Sequence, residues 1–246
     1  MRPVSFLFGV VLIVIASALF LNAQLVPMRT SVSRPISLPL QFEENVGQYD
    51  LPTQFALSGG SGRLMLEPGG TLVWLAGEKA IRVVPVGGNS KTRPVTDDLQ
   101  ITRRNYYYSI PVPREYTDVR SFGRVRYPAI YPGIDLVYYG HEGQLEYDFE
   151  VAPGADPSAI ALKVEGGTAE LHEGDLILHA GGEELRIKAP SSYQIVSGGQ
   201  RNIESTLRQK LDGSVYLELG QYDRTRKLII DPTVIFATAV PMPAGD

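Results

Sequence analysis

Short runs of alternating apolar and polar residues recur along most of the chain and predict β-strands. They begin near Leu38 and continue to Asp231, at roughly the 8 to 12 residue spacing that all-β domains show. Glycine pairs at 87-88 and 166-167 stand between runs, as turns between strands would. The first half of this region lacks a sustained apolar stripe at helical spacing. The pattern predicts an all-β fold of antiparallel sheets packed as a sandwich, which could divide into two lobes.

The clearest predicted hairpin joins a strand at residues 134 to 139 with a strand at residues 145 to 151. The connection between them contains two glycines, as a short hairpin turn requires. Pairing Tyr139 with Gln144 gives one apolar face and one largely acidic face. The apolar face carries Ile134, Leu136, Tyr138, Leu145, Tyr147 and Phe149, and the other face carries Asp135, Val137, Tyr139, Glu146, Asp148 and Glu150.

The acidic face of this hairpin is the strongest candidate for chemistry. In the expected register Asp135 lies opposite Asp148, and facing like charges destabilise a sheet unless a cation or a basic strand offsets them. Asp135, Glu146 and Asp148 could bind Ca²⁺, which prefers several carboxylate oxygens, or two of them could hydrolyse a glycosidic bond as acid and base. The third interpretation is a salt-bridged surface, which is favoured by nearby arginines that also alternate at period two, Arg120, Arg124 and Arg126.

The N-terminal segment predicts that the protein is exported from the cytoplasm. Arg2, a long apolar run and Ala23 make residues 1 to 23 an expected signal peptide, with an uncleaved membrane anchor as the alternative. Residues 24 to 37 are expected to form a flexible lead-in and residues 237 to 246 a disordered tail. The expected localisation is secreted or in the cell envelope, in the periplasm or at the cell surface.

The β-rich domain between these ends is predicted to span residues 38 to 236. The polar stretch from 89 to 104 favours a long loop or a boundary, so the expected lobes cover residues 38 to 104 and 119 to 236. One helical turn is predicted after Asp156, because Asp caps helices well and Pro157 suits the first helical position.

Composition and motifs narrow the function further. The absence of cysteine excludes disulfides, thiolate metal sites and a Cys nucleophile, and a net charge of -4 without charged runs argues against nucleic-acid binding. Nucleophile-elbow, zinc-protease and phosphate-loop motifs are missing, and Ser61 in its glycine-rich turn has no helix after it. His141 is expected to be exposed in the hairpin turn, whereas His172 and His179 could approach each other across another hairpin. The sequence predicts no catalytic, cofactor-binding or metal-binding residue and no cofactor.

Thirteen tyrosines, some in clusters at 106 to 108 and 138 to 139, are the other unusual feature. Tyrosines on a β surface can stack on sugar rings or anchor a protein partner, and alternating members can instead fill the core. Alternation predicts that Tyr138 is buried and Tyr139 exposed.

The stretch YPGIDLVYYGHEGQLEYDFEVAPGADP at residues 131 to 157 resembles an uncharacterised N-terminal domain of bacterial secreted and cell-surface proteins that carry SBBP-type beta-propeller repeats. FEENVGQ at residues 42 to 48 resembles the opening of that domain, and the likeness covers residues 38 to 236. Two segments differ from the pattern: residues 236 to 240 lack the glycine pair that opens a propeller repeat, and residues 109 to 117 lack an expected Gly and Trp. The family has no assigned functional residues, so the resemblance implies no site.

Together these features predict a non-enzymatic, exported or cell-surface β-module for docking, adhesion or assembly. Its expected partners are a cell-envelope component, a polysaccharide or a surface protein, with membrane contact only through an uncleaved signal segment. The alternative is a carbohydrate-active hydrolase that uses the acidic residues of the 134 to 151 hairpin.

Overall fold

The computed structural model describes residues 39 to 59 and 63 to 237, which form nineteen β-strands and two short 3-10 turns. The strands are β1 (Gln41–Glu44), β2 (Phe55–Ser58), β3 (Leu64–Glu67), β4 (Thr71–Ala76), β5 (Lys79–Pro85), β6 (Val95–Tyr108), β7 (Arg114–Tyr131), β8 (Ile134–His141), β9 (Gln144–Val151), β10 (Ala161–Glu165), β11 (Thr168–His172), β12 (Asp175–Ala180), β13 (Glu183–Ile187), β14 (Ser191–Val196), β15 (Gly199–Ile203), β16 (Ser205–Gln209), β17 (Val215–Leu219), β18 (Leu228–Asp231) and β19 (Thr233–Ala237).

The predicted all-β, antiparallel class is confirmed, and the strands of the described chain form one connected sheet. β7 lies at its centre, because one edge pairs with β6 and the other pairs first with β1 and then with β8. From β1 the sheet continues through β2, β3, β4, β5 and β10 to β17 and β16. From β8 it continues to β9, whose far edge receives both β18 and β19.

The part of the sheet that extends from β1 and the part that extends from β8 fold over a shared core. The Tyr138 hydroxyl on β8 donates to the Gly70 carbonyl between β3 and β4 at 2.7 Å, and the Tyr127 hydroxyl on β7 donates to Gln54 at 3.1 Å. Both tyrosines are buried, so each ring fills the core while its hydroxyl finds an acceptor in the facing layer. One hydrophobic cluster includes Trp74 from β4 and Leu185 from β13.

The β8–β9 hairpin has the predicted faces but a different register. Tyr139 pairs with Glu146 rather than with Gln144, because the turn contains only Glu142 and Gly143. Both turn residues have positive φ, as a two-residue hairpin turn of the primed type requires, and glycine adopts that conformation readily. The register differs by two residues, so the side-chain faces are retained while Asp135 lies opposite Glu150 instead of Asp148.

The stretch predicted as a loop or boundary contains the start of the long strand β6. Residues 89 to 104 are irregular only as far as Pro94, after which β6 begins at Val95. β19 begins after the last predicted run, which ends at Asp231, and it includes Ala237, the first residue of the expected tail.

The predicted helical turn is confirmed as a 3-10 turn at Pro157–Ala159. The Asp156 side chain accepts a hydrogen bond from the Ser158 backbone N–H at 3.0 Å, which is the capping contact that the sequence indicated. The predicted signal peptide, the lead-in, Ser61 and residues 238 to 246 lie outside the described residues. Over residues 39 to 59 and 63 to 237, no helix is both long and apolar enough to cross a membrane.

Candidate functional site

A two-stranded arm extends from the sheet beside β1. Between residues 100 and 120, β6 and β7 pair with each other and with no third strand of the described chain. The loop joining them, residues 109 to 113, is the arm tip, where Ile110 is 84% and Val112 59% exposed. Ile101 near the base of the arm is 99% exposed. The arm therefore presents apolar side chains to solvent at its end and along one strand.

A buried carboxylate attaches the arm to the sheet. Glu43 on β1 is only 1% exposed and accepts hydrogen bonds from the Tyr106 hydroxyl and, at 3.1 Å, from the Tyr49 hydroxyl. The two hydroxyls are 2.9 Å apart, and the Arg104 Nε lies 3.1 Å from the Glu43 Oε2. Burial raises the pKa of both tyrosines, so their hydroxyls keep the protons that they donate.

The loop at residues 45 to 53 packs against the arm and is shaped by its own side chains. Asn45 Nδ2 donates to the Thr53 carbonyl at 2.8 Å, and its Oδ1 accepts from the backbone N–H groups of Gly47 and Tyr49. The Tyr116 ring lies so close to Gly47 that a Cβ there would be 2.9 Å from the ring, so glycine is needed for this contact. The motif FEENVGQ therefore builds the base of the arm and the loop beside it.

A depression of about 200 Å³, here called the tip depression, lies between the arm tip and this loop. Its lining includes the rings of Tyr108 and Tyr116, the apolar tip, and the side chains of Asp50 and Arg114. The Tyr108 hydroxyl donates to the Gln48 carbonyl at 3.1 Å, which fixes its ring. Among the described residues, the side chains of Asp50, Arg114 and Tyr116 make no hydrogen bond or ion pair, so their polar ends are available to a ligand.

Two larger depressions continue around the same loop. A depression of about 350 Å³ shares Gln48 and Asp50 with the tip depression and also contains the Arg82–Glu67 ion pair. A third, of about 520 Å³, shares residues 51 to 53 with the second and is lined partly by Phe55 and Phe122. The second and third depressions use opposite faces of the sheet, because Phe55 in the third pairs with Leu66, whereas Met65 in the second is the preceding residue of β3 and points to the other face.

Two of the four acidic side chains on this face of the β8–β9 hairpin, Asp135 and Glu150, form ion pairs with basic side chains. Arg126 Nη1 lies 2.7 Å from Asp135 and 2.8 Å from Glu150, and Lys227 Nζ lies 2.6 Å from Glu150. Burial raises the pKa of Glu150, but the hydrogen bonds from Arg126 and Lys227 outweigh it and lower the pKa to about 2. The expected arginine pairing thus occurs for Arg126.

The other two predicted arginines act elsewhere. Arg120 binds Glu44 on β1 through two hydrogen bonds of 2.7 Å. Arg124 lies over the Tyr139 ring at 5.1 Å from its centroid. Tyr139 is consequently half-buried, which corrects the expected exposure, whereas Tyr138 is buried as predicted.

Asp148 has a different acidic neighbour from the predicted one. The β9–β18 register pairs Phe149 with Ile230, and its continuation places Asp231 opposite Asp148. Asp148 is 8% exposed and accepts a hydrogen bond from the Tyr139 hydroxyl at 3.1 Å. Burial and then the charge of Asp231 raise the pKa of Asp148 to about 7.

Asp231 itself was missed as a chemical residue. Burial and then the charge of Glu146 raise its pKa, and its Oδ1 is buried without a hydrogen-bond partner in the described chain. The Ile230-Asp231-Pro232 segment was the available signal, but sequence alone did not reveal that it pairs with β9.

The histidines do not come together. His172 pairs with Asp175 at one end of the β11–β12 hairpin, whereas His179 pairs with Thr168 at the other end, which corrects the expected approach. His179 Nε2 lies 3.3 Å from Glu170, and His141 is exposed as predicted. Over residues 39 to 59 and 63 to 237, no three His, Cys, Asp or Glu side chains are placed to hold a metal ion.

Comparison with known proteins places most of the described sheet in one family. Residues 42 to 233 match a family described as a domain of unknown function, DUF7948. No curated protein and no solved structure matches the chain. The matched residues run from β1 to the first residue of β19 and include the arm and the central hairpin, so the chain belongs to the DUF7948 family.

Proposed function

We propose that this chain is a non-enzymatic docking module of an exported or cell-surface protein, and that the arm makes the contact with its partner. The observation that carries the proposal is the apolar arm tip, where Ile110 and Val112 are exposed at the end of a long hairpin. Contiguous exposed apolar side chains with polar surroundings are typical of interaction sites.

The attachment of the arm supports this function, because a preorganised surface loses less conformational entropy on binding. Glu43, Tyr49 and Tyr106 hold the base of the arm. The hydrogen bond from the Tyr108 hydroxyl to Gln48 fixes the Tyr108 ring next to the tip. The tip is therefore offered to a partner in one orientation.

Two features of the sequence support the proposed localisation. The apolar N-terminal segment favours export, and the motifs at 42 to 48 and 131 to 157 resemble a bacterial domain associated with SBBP-type propeller repeats. Because an exported protein meets components of the cell envelope, the proposed partner is one of them.

Co-sedimentation of the full chain with envelopes of the source organism tests the proposal. The double variant Ile110→Ser/Val112→Ser is expected to lose most of the bound fraction, because it removes the apolar contact without touching the core. Ile195→Ser is the matched control, since Ile195 is 64% exposed on β14 and lies outside the arm. Equal binding by the wild type and the double variant would overturn the role of the tip.

A second candidate, a carbohydrate-active hydrolase, is favoured by the raised pKa of Asp148 beside Asp231, because a general acid must hold a proton near neutral pH. Its low exposure restricts access to a substrate. Sugar release by the wild type, abolished in Asp148→Asn without a lower Tm, would support this candidate, and release unaffected by the substitution would remove Asp148 from it.

A further inference from the structure

We propose that the tip depression and the second depression beside it bind a polysaccharide chain, with one hexose ring in the tip depression. This inference rests on the proposed docking function and names the class of ligand. It draws on the side chains of the loop and of the arm tip together.

The size of the tip depression suits a single ring. Its volume of about 200 Å³ is smaller than the roughly 300–1,000 Å³ of pockets that enclose a drug-sized ligand. Its lining includes the exposed tip residues Ile110 and Val112, so a ring can enter from that side.

The lining matches the two surfaces of a hexose. A pyranose ring has an apolar C–H face, which packs on aromatic rings such as those of Tyr108 and Tyr116. Its hydroxyl edge both donates and accepts hydrogen bonds. The Asp50 carboxylate supplies two acceptor oxygens and the Arg114 guanidinium a fork of donors, and neither is engaged within the described chain.

The arrangement of the depressions suits a polymer better than a free monosaccharide. The tip depression shares Gln48 and Asp50 with the second depression, so the next ring of one chain can occupy the second. The third depression is not part of the proposed site, because its aromatic residues Phe55 and Phe122 are each only 6% exposed.

A peptide added to the free edge of β6 is the less favoured occupant. Strand addition requires a regular row of backbone groups, whereas the β6–β7 register is broken between Leu99 and Arg103, and Asp98 has positive φ. Such bulges discourage pairing at an edge. The free polar groups beside the tip belong to side chains, which suits a sugar better than a peptide backbone.

Chemical treatment of the envelope distinguishes a glycan from a protein partner. Periodate cleaves vicinal diols in sugars, whereas proteinase K degrades proteins. The full chain is expected to bind proteinase-treated envelopes as well as untreated ones and to lose binding after periodate. Loss of binding with proteinase but not with periodate would leave the docking function standing and overturn the glycan inference.

Variants of the unpaired polar residues locate the site. Asp50→Asn and Arg114→Gln are each expected to weaken binding about tenfold, because each removes a charged partner of the hydroxyl edge. Glu115→Gln is the matched control on the same arm, since Glu115 is exposed and does not line the tip depression. If all three variants bind as tightly as the wild type, the assigned site is overturned.

If untreated envelopes are not bound, the docking function is overturned. Direct binding to purified polysaccharides then tests the glycan site separately. Affinity electrophoresis of the full chain in gels containing cellulose-, chitin-, mannan- or pectin-derived soluble polymers is the measurement. Retardation that Asp50→Asn abolishes would support the site. Unchanged mobility in every gel would overturn it.

Discussion

At the scale of single residues, Asp148 makes the stability of this protein depend on pH. Its carboxyl group is buried opposite Asp231, and burial followed by that charge raises its pKa from 3.8 to about 7. Between these values the folded protein holds a proton that the unfolded chain releases. The free energy of unfolding therefore falls as the pH rises from about 4 to 7, and the loss is complete above pH 7.

We expect Asp148→Asn to remove this dependence and to be more stable than the wild type at pH 8. The shift corresponds to about 4 kcal/mol at most, since one unit is about 1.4 kcal/mol. Urea unfolding at pH 5, 6.5 and 8 is the measurement, with Asp97→Asn as an exposed control. An unchanged slope in Asp148→Asn would show that the pKa of Asp148 is not raised in the folded protein.

Glu150 acts in the opposite direction at lower pH. Its pKa is lowered to about 2 by Arg126 and Lys227, against the effect of burial, so the ion pairs stabilise the fold above the unfolded value of 4.5. That contribution is lost as the pH falls from about 4.5 to 2. The same unfolding series extended to pH 3 should therefore show maximum stability near pH 4 to 5.

Sequence reasoning found the residues of this face but not all of their partners. Arg126 was expected beside the acids because both alternate at period two, and it binds Asp135 and Glu150. Asp231 was not expected, because its pairing with Asp148 depends on which late strand completes the edge of β9. Local alternation specifies a face but not a neighbour about 80 residues away.

At the scale of elements, the arm depends on the buried charge of Glu43. We expect Glu43→Gln to weaken the attachment of the arm by about 1–3 kcal/mol, because Arg104 loses its ion-pair partner and Tyr106 a charged acceptor. Hydrogen exchange should become faster at residues 103 to 120 and stay unchanged in the β8–β9 hairpin.

Arg103→Gln is the control for this experiment. Arg103 pairs with Asp118, which is 81% exposed, and surface ion pairs contribute little to stability. Faster exchange throughout the protein in Glu43→Gln would mean that Glu43 supports the whole sheet rather than the arm.

The arm also explains why its first strand was predicted as a loop. Alternation of apolar and polar residues arises when one face of a strand is buried, but most of β6 is exposed on both faces. Its sequence therefore resembles that of a polar loop. The register of the β8–β9 hairpin was predicted wrongly for a different reason. Its two glycines are compatible with both a longer connection and a two-residue turn.

At the scale of the whole molecule, the class of fold was predictable and the strand order was not. Regular alternation and frequent glycine turns are local signals, and they led to the all-β, antiparallel prediction that the structure confirms. The insertion of β1 between β2 and β7, and of β19 between β9 and β13, depends on long-range packing. Such long-range strand pairings cannot be read from the local alternation of apolar and polar residues.

The late completion of β9 also affects how the protein is made. Its second edge pairs with β18 and β19, which follow about 80 residues later. At roughly 5 to 20 residues per second, a ribosome needs about 4 to 16 s to supply them. During that interval the β8–β9 hairpin has an open edge that other nascent chains could pair with. We therefore expect a chaperone that covers this edge until β18 and β19 are made to raise the yield of folded protein.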